Sequence, residues 1–209
     1  MLHQNDARLI SFFINSSGYL VPRPRNGYVK ISKTIHPYLL GRRGLYHFYN
    51  LEKTLYGIRS TMEVLKNISA YDGKILFVSN SLPLGDRFSR EANINSLRWE
   101  RGVIGKSQEA DLVFLSGVEK ENLVEAHRKC LLLVGVGSST MSQSAYPFHL
   151  NVESPLLSDW FLGLLYATHI QGVRKGIKLK AKRIKSLLSQ GLLRRRKDGS
   201  LVAVRKWVW

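Results

Sequence analysis

Three stretches of the chain carry residue types that could do chemistry. Gly105-Lys106-Ser107 has the close of a phosphate-binding loop, in which backbone N–H groups cradle phosphates and the lysine reaches them. That loop needs a glycine five residues before Gly105, and Glu100 stands there. The stretch from Asn95 to Trp99 is polar, not the apolar strand that should feed such a loop. Gly135-Val136-Gly137 follows an apolar run, as a dinucleotide fingerprint would. Thr140 holds the third glycine position, and Ser138 to Ser144 is too polar to open a helix packed on a sheet. A strand-end loop is expected there. Ser138, Ser139, His149 and Asp159 could be assembled by a fold, but their spacing demands nothing and no G-x-S-x-G elbow exists. Asp111 and Glu125 read as a strand-edge and a helix-surface residue. Cys130 is the single cysteine, so no internal disulfide forms, and the apolar run after it predicts a small buried hydrophobe. One thiol and six scattered histidines predict no zinc site. The chain is therefore expected to hold no catalytic residue, metal, cofactor or small-molecule substrate.

The signal improves where basic residues meet aromatics. Arg98-Trp99-Glu100-Arg101-Gly102 joins two guanidinium groups, an indole and a glycine. Arginine grips phosphate bidentately, tryptophan stacks on bases, and glycine lets a backbone come close. The plain alternative is a Trp99 that plugs a sheet edge while the arginines sit in water.

Charge gives that segment a context. The chain has 32 Lys and Arg against 15 Asp and Glu among its 209 residues, a net of +17. Residues 1–172 hold 19 basic and 14 acidic side chains; residues 173–209 hold 13 basic and one acidic. Twelve uncompensated charges in the tail repel one another unless a polyanion neutralises them. Nucleic acid and an anionic membrane surface are the two candidates. Such a tail is expected to order only on its partner. No stretch reaches 18 apolar residues, so no membrane span is expected. The start, Met1 to Arg8, lacks the basic onset and apolar run of a secretory signal and is short of arginine for a transit peptide.

The elements that must position these residues follow from periodicity. The 44% apolar content is enough for a sizeable core. Residues 1–44 read as an irregular basic segment, because Val21-Pro22-Arg23-Pro24-Arg25-Asn26-Gly27 breaks helix and strand alike. Residues 45–172 read as an α/β core domain. Leu45 to Tyr49 is strand-like; Asn50 then caps a helix with Leu51, Leu55, Ile58, Met62 and Leu65 on one face. Asp72-Gly73 is a turn. Lys74 to Ser79, Asp111 to Leu115 and Leu131 to Val136 are short apolar runs suited to buried parallel strands. Glu119 to Lys129 is a helix between the last two, and Tyr146 to Leu150 a short extended piece. Ser154-Pro155 opens an apolar helix from Leu156 to Ile170. Alternating strands and helices predict a doubly wound α/β sheet. Residues 173–209 form a basic C-terminal extension: an amphipathic helix with Ile177, Leu179, Ile184, Leu187 and Leu188 among its lysines, then Arg194-Arg195-Arg196-Lys197. A hairpin turn at Asp198-Gly199 follows, and Leu201 to Trp209 is strand-like or packs on a partner.

The order of these pieces carries a resemblance. The run His36-Pro37-Tyr38-Leu39-Leu40-Gly41-Arg42-Arg43-Gly44, its strand, and Leu51-Glu52-Lys53-Thr54 resemble the opening of the universal ribosomal protein two family of the small subunit. Lys74 to Val78 is similar to the family's second strand. Arg98-Trp99-Glu100-Arg101-Gly102-Val103-Ile104 resembles its Arg-Trp-x-x-Gly-x-Leu signature. Asp111-Leu112-Val113, Glu125-Ala126 and Leu131 to Val136 match its next strand, helix and strand, and Asn151 to Ser154 its Asn-Asp-x-x-Ser stretch. The likeness spans roughly residues 36–172 in order. Bacterial members carry a long helical hairpin after the Arg-Trp signature; here only Gly105 to Ala110 intervene. Gly105-Lys106 stands where the family has Thr-Asn, and its Asp-Thr after the Leu131 to Val136 strand is missing. Before His36 the match is poor.

The resemblance implies a flavodoxin-like, mostly parallel sheet with flanking helices and no long helical-hairpin insert. It implies a structural constituent of the small ribosomal subunit, not an enzyme, with small-subunit ribosomal RNA and neighbouring ribosomal proteins as partners. The eroded signatures and enlarged tail suggest a mitochondrial ribosome, with a plastid or bacterial cytoplasm as the alternative. The residues expected on RNA are Arg42, Arg43, Arg98, Trp99, Arg101 and Lys106 from the body. From the tail they are Arg174, Lys175, Lys178, Lys180, Lys182, Arg183, Lys185, Arg194, Arg195, Arg196 and Lys197. Trp207 and Trp209 are further candidates for stacking. Two rivals stand beside this expectation. One is a small-ligand or nucleotide-binding enzyme on the same scaffold; the other is a peripheral protein whose tail helix lies on anionic lipid.

Overall fold

The computed structural model describes residues 4–21, 31, 33–79, 93–106, 110–116, 120–137, 145–190, 193–195 and 201–203. In chain order the elements are α1 (Gln4–Asn15), a 3-10 helix (Lys33–Tyr38), β1 (Leu39–Arg43), β2 (Tyr46–Tyr49), α2 (Leu51–Ala70), β3 (Ile75–Ser79) and β4 (Ile94–Arg98). They continue with α3 (Val103–Lys106), β5 (Leu112–Ser116), α4 (Lys120–Arg128), β6 (Leu132–Val136), β7 (Ala145–Phe148), α5 (Pro155–Ser189), β8 (Leu193–Arg195) and β9 (Leu201–Ala203).

The centre is a five-stranded sheet in the order β4-β3-β5-β6-β7, with every pair parallel. It is flanked by helices on both faces, the flavodoxin-like doubly wound arrangement. The apolar runs sit where two-sided burial requires them: all five residues of β3 and of β5 are buried. Edge positions explain the exceptions. Among the described residues β4 pairs with β3 alone, so Asn95, Leu97 and Arg98 are exposed and the strand is too polar to read as one. β7, the other edge, tolerates Pro147 because an edge strand has no second neighbour to bond. Thirteen residues, Trp99 to Asp111, separate β4 from β5, and the described residues show no long helical hairpin.

One face of the sheet (Ile75, Phe77, Leu112, Phe114, Val134, Val136) packs on Phe13 of α1, on Leu55, Ile58 and Leu65 of α2, and on Leu157, Phe161 and Leu165 of α5. The other (Leu76, Val78, Val113, Leu115, Leu133) is covered by Ile104, Ala126, Tyr49, Ile35 and Val21. α2 starts as its sequence dictates: Asn50 Oδ1 accepts from Glu52 N at 3.1 Å and Lys53 N at 3.4 Å. It ends at a turn where Asp72 takes a left-handed φ of 58° and Gly73 N donates back to Ile68 O.

Several expectations are corrected. The segment 1–44 is not irregular throughout. Leu9, Ile10, Phe12 and Phe13 give α1 a core-facing stripe, and the Asp6–Arg59 ion pair ties it to α2. The strand read at Leu45 to Tyr49 is present as β2, but it pairs with β1 in an antiparallel hairpin turning at Gly44 with φ +59°, outside the five-stranded sheet. Cys130 is exposed: it occupies the left-handed residue (φ 52°) after α4. The tail does not begin a new helix either. α5 is one helix of 35 residues that runs through Gly172 without a break and carries the chain as far as Ser189. Gly172 and Gly176 are contact points, not boundaries. A Cβ at Gly172 would stand 2.6 Å from the Lys66 carbonyl, and one at Gly176 would strike the Ala70 carbonyl. β8 and β9 pair antiparallel; the turn expected at Asp198-Gly199 lies outside the described residues.

Candidate nucleic-acid interface

The cations expected on RNA fall into three places. The first is the β1–β2 hairpin. Arg42 and Arg43 are exposed near its tip, and Arg42 Nε donates to Gly44 O at 2.7 Å, which orients the guanidinium. Leu40 (76% exposed), Leu45 (71%) and Tyr46 (52%) stand beside them. The hairpin thus shows charge, aliphatic surface and a phenol together. His47 opposite Arg42 is held below its ordinary pKa, first by burial and then by Arg42 and His36. Its charged form is thereby disfavoured.

The second place is the end of β4. Arg98 and Arg101 are exposed, on either side of a Trp99 that is half-buried against the second core cluster. The indole plugs the sheet edge, and its N–H has no partner among the described residues. Gly102, at φ +87°, donates its N–H to Glu125 Oε1 at 2.6 Å. Glu125 is therefore not a mere helix-surface residue: it pins the turn that presents the two arginines. Lys106 closes α3, and its side chain lies outside the described residues.

The third place is α5. Arg174, Lys175, Lys178, Lys180, Lys182, Arg183 and Lys185 are all exposed. Helix phase divides them. Lys175 Nζ donates to Asn67 Oδ1 at 2.9 Å, and Lys180 pairs with Asp72, so these two are turned toward α2. Arg174, Lys178, Lys182 and Lys185 fall within an arc of about 80° and form a row about 16 Å long. None of the four has an ion-pair partner among the described residues, and α5 holds no acidic residue after Asp159. Arg194 and Arg195 lie on β8 with side chains outside the described residues; Arg196, Lys197, Trp207 and Trp209 lie outside them altogether.

The residues that looked catalytic are placed elsewhere. Gly137 has φ +58° and donates to Phe148 O at 2.9 Å, and a Cβ there would stand 2.6 Å from the Leu150 carbonyl. Close approach of residues 148–150 explains this glycine without any phosphate. His149 is buried among the rings of Tyr38 (4.3 Å between centroids) and Tyr49 (5.6 Å). Burial lowers its pKa to about 4, and neither ring nitrogen has a partner among the described residues. Asp159 is exposed on α5, and Ser138 and Ser139 lie outside the described residues. A buried Ser69–His169 hydrogen bond of 2.9 Å joins α2 to α5, but Ser69 Oγ also meets the Leu65 carbonyl, so the pair is a helix clamp. A groove of about 360 Å³ between these helices is lined by Glu63, Lys66, Asn67 and Lys175 among others. Among the described residues no group of three His, Cys, Asp or Glu is placed to hold a metal ion. No helix among them is long and apolar enough to cross a membrane.

Sequence reading missed the glycine pair and the Gly102–Glu125 clasp. The first had a signal, Gly172-x-x-x-Gly176 at one helical turn; the second joins residues 23 apart and had none. No protein-family model matches the chain.

Proposed function

We propose that this chain is a structural, non-catalytic constituent of a small ribosomal subunit. In this reading it is a mitochondrial member of the universal ribosomal protein two family, binding small-subunit ribosomal RNA and neighbouring ribosomal proteins. The observation that carries the proposal is the row of Arg174, Lys178, Lys182 and Lys185, exposed on a helix with no acid after Asp159. Such a row displaces counterions from a phosphate backbone, and each contact steepens the salt dependence of binding. The exposed pairs Arg42–Arg43 and Arg98–Arg101 add two more grips of the bidentate kind. The fold class agrees with what the resemblance implies.

Sedimentation of mitochondrial extract tests the assignment. The chain is expected to travel with small subunits and to leave them only at high salt or after ribonuclease. A chain that stays at the top of the gradient at low salt would end this reading. Plastid or cytoplasmic extract run in parallel tests the compartment. With purified RNA, replacing all four residues of the row by alanine is expected to flatten the log–log salt slope by about 3, at roughly 0.7 to 0.9 per contact. An unchanged slope would remove α5 from the interface.

A further inference from the structure

The projecting half of α5 has a second face that cations do not explain. Ile177, Ile184 and Leu188 are 62%, 38% and 37% exposed. With Ala181 they follow a 4-3-4 spacing, so all four lie on one side of the helix, about 90° around from the cation row. Beyond Gly176 the helix has left the end of α2, and β8, which touches α5, leaves these side chains open. The spacing is that of a coiled-coil seam, and it runs for about three turns.

The flanks decide what fits. Arg174 and Lys185 border the seam on one side and Lys180, which also pairs with Asp72, on the other, and no acid lies on this half of the helix. A second copy of the chain would set these cations against each other. RNA offers phosphate to the flanks and nothing to the isoleucines. A lipid surface favours a broad apolar face with aromatic residues, and this is a single aliphatic row. We propose that the seam of Ile177, Ala181, Ile184 and Leu188 seats an amphipathic helix of a partner protein whose own apolar stripe is flanked by Asp and Glu. Apolar contact would supply the affinity, and the Lys and Arg flanks the choice of partner and its register. The proposal deepens the reading of α5 as an assembly element by stating how a neighbouring protein docks beside the RNA. RNA binding is measured separately, so either can fail alone.

The test uses the full chain and a synthetic helical peptide of about three heptads, Leu and Ile in its seam and Glu in its flanks. A second peptide carries Lys in place of Glu. The variant is I177S/I184S/L188S, whose three sites are exposed, with its fold checked by thermal unfolding. The Glu peptide is expected to bind the wild type saturably and to lose at least about tenfold in affinity, or 1.4 kcal/mol, on the triple variant. The Lys peptide is expected not to bind, and RNA affinity is expected to hold in the variant. Equal binding of the Glu peptide to wild type and variant, or no binding to either, overturns the proposal. So does equal binding of the Lys peptide. Loss of adhesion to phosphatidylserine vesicles, of self-association or of RNA affinity in the variant, with peptide binding untouched, would assign the seam to lipid, to a second copy or to RNA instead.

Discussion

The two halves of α5 share one helix and almost nothing else. From Pro155 to Gly176 the helix is stabilised by burial: Leu157, Phe161, Leu162, Leu165, Thr168 and His169 face the body, and two glycines bring it against α2. From Ile177 onward every residue is exposed except a half-buried Leu187, and most of the polar ones are cationic. Regular structure therefore says little about why a segment is retained. The first half answers to the core, the second to whatever neutralises it. Matched truncations test this division most severely. Phe161 is buried edge-to-face on Phe148 at 4.7 Å, so Phe161→Ala is expected to cost about 3–5 kcal/mol in chemical denaturation. Ile184→Ala is expected to stay within about 0.5 kcal/mol. Comparable costs would show that the distal half is part of the folded unit after all.

Acid and salt should separate the halves as well. His149 belongs to the body, and its folded pKa of about 4 lies below the ordinary value of 6.5. The folded state thus binds fewer protons than the unfolded one between those values. Stability is intact above pH 6.5 and is lost as pH falls toward 4, by at most about 3 kcal/mol. His149→Phe is expected to flatten that limb of the pH–stability curve while leaving the salt dependence of RNA binding untouched. A variant that keeps the wild-type acid limb would place the titrating group elsewhere.

How much of this could be read beforehand follows the same division. β3, β5 and β6 were legible because burial on both faces requires continuous apolar runs, and α2 because Asn50 and a 3-4 apolar spacing announce it. β4 was hidden because an edge strand keeps its polar residues. α1 was hidden because its short apolar cluster precedes a basic, proline-rich stretch that dominated the reading. The cations were legible as composition, but which of them share a face needed the phase of an unbroken helix. Gly172 looked like a boundary because charge density changes there; in three dimensions its missing side chain is what lets the backbones meet.

That close approach predicts an effect of intermediate size. In an open helix Gly→Ala gains up to about 1 kcal/mol. At Gly176 the new methyl would strike the Ala70 carbonyl, a backbone atom that cannot swing aside. Gly176→Ala is therefore expected to cost about 1–3 kcal/mol, as overpacked sites do. The same change at Gly163, where a Cβ meets nothing within 4 Å, is expected to be neutral or stabilising. Equal responses would mean that the glycines do not hold α5 against α2.

The smallest expected effect is the sharpest on where the body ends. Lys180 pairs with Asp72 just past the last close contact, with side chains 61% and 55% exposed. Water and salt screen such a pair, so Asp72→Asn is expected to cost less than about 1 kcal/mol. Helix content should not change, because Gly172 and Gly176 already fix the direction in which α5 leaves. If circular dichroism instead showed several residues of helix lost, the ion pair would be the true anchor of the distal half. The boundary between the part held by packing and the part held by charge would then move back toward α2, and the cation row would depend on Asp72 for its geometry.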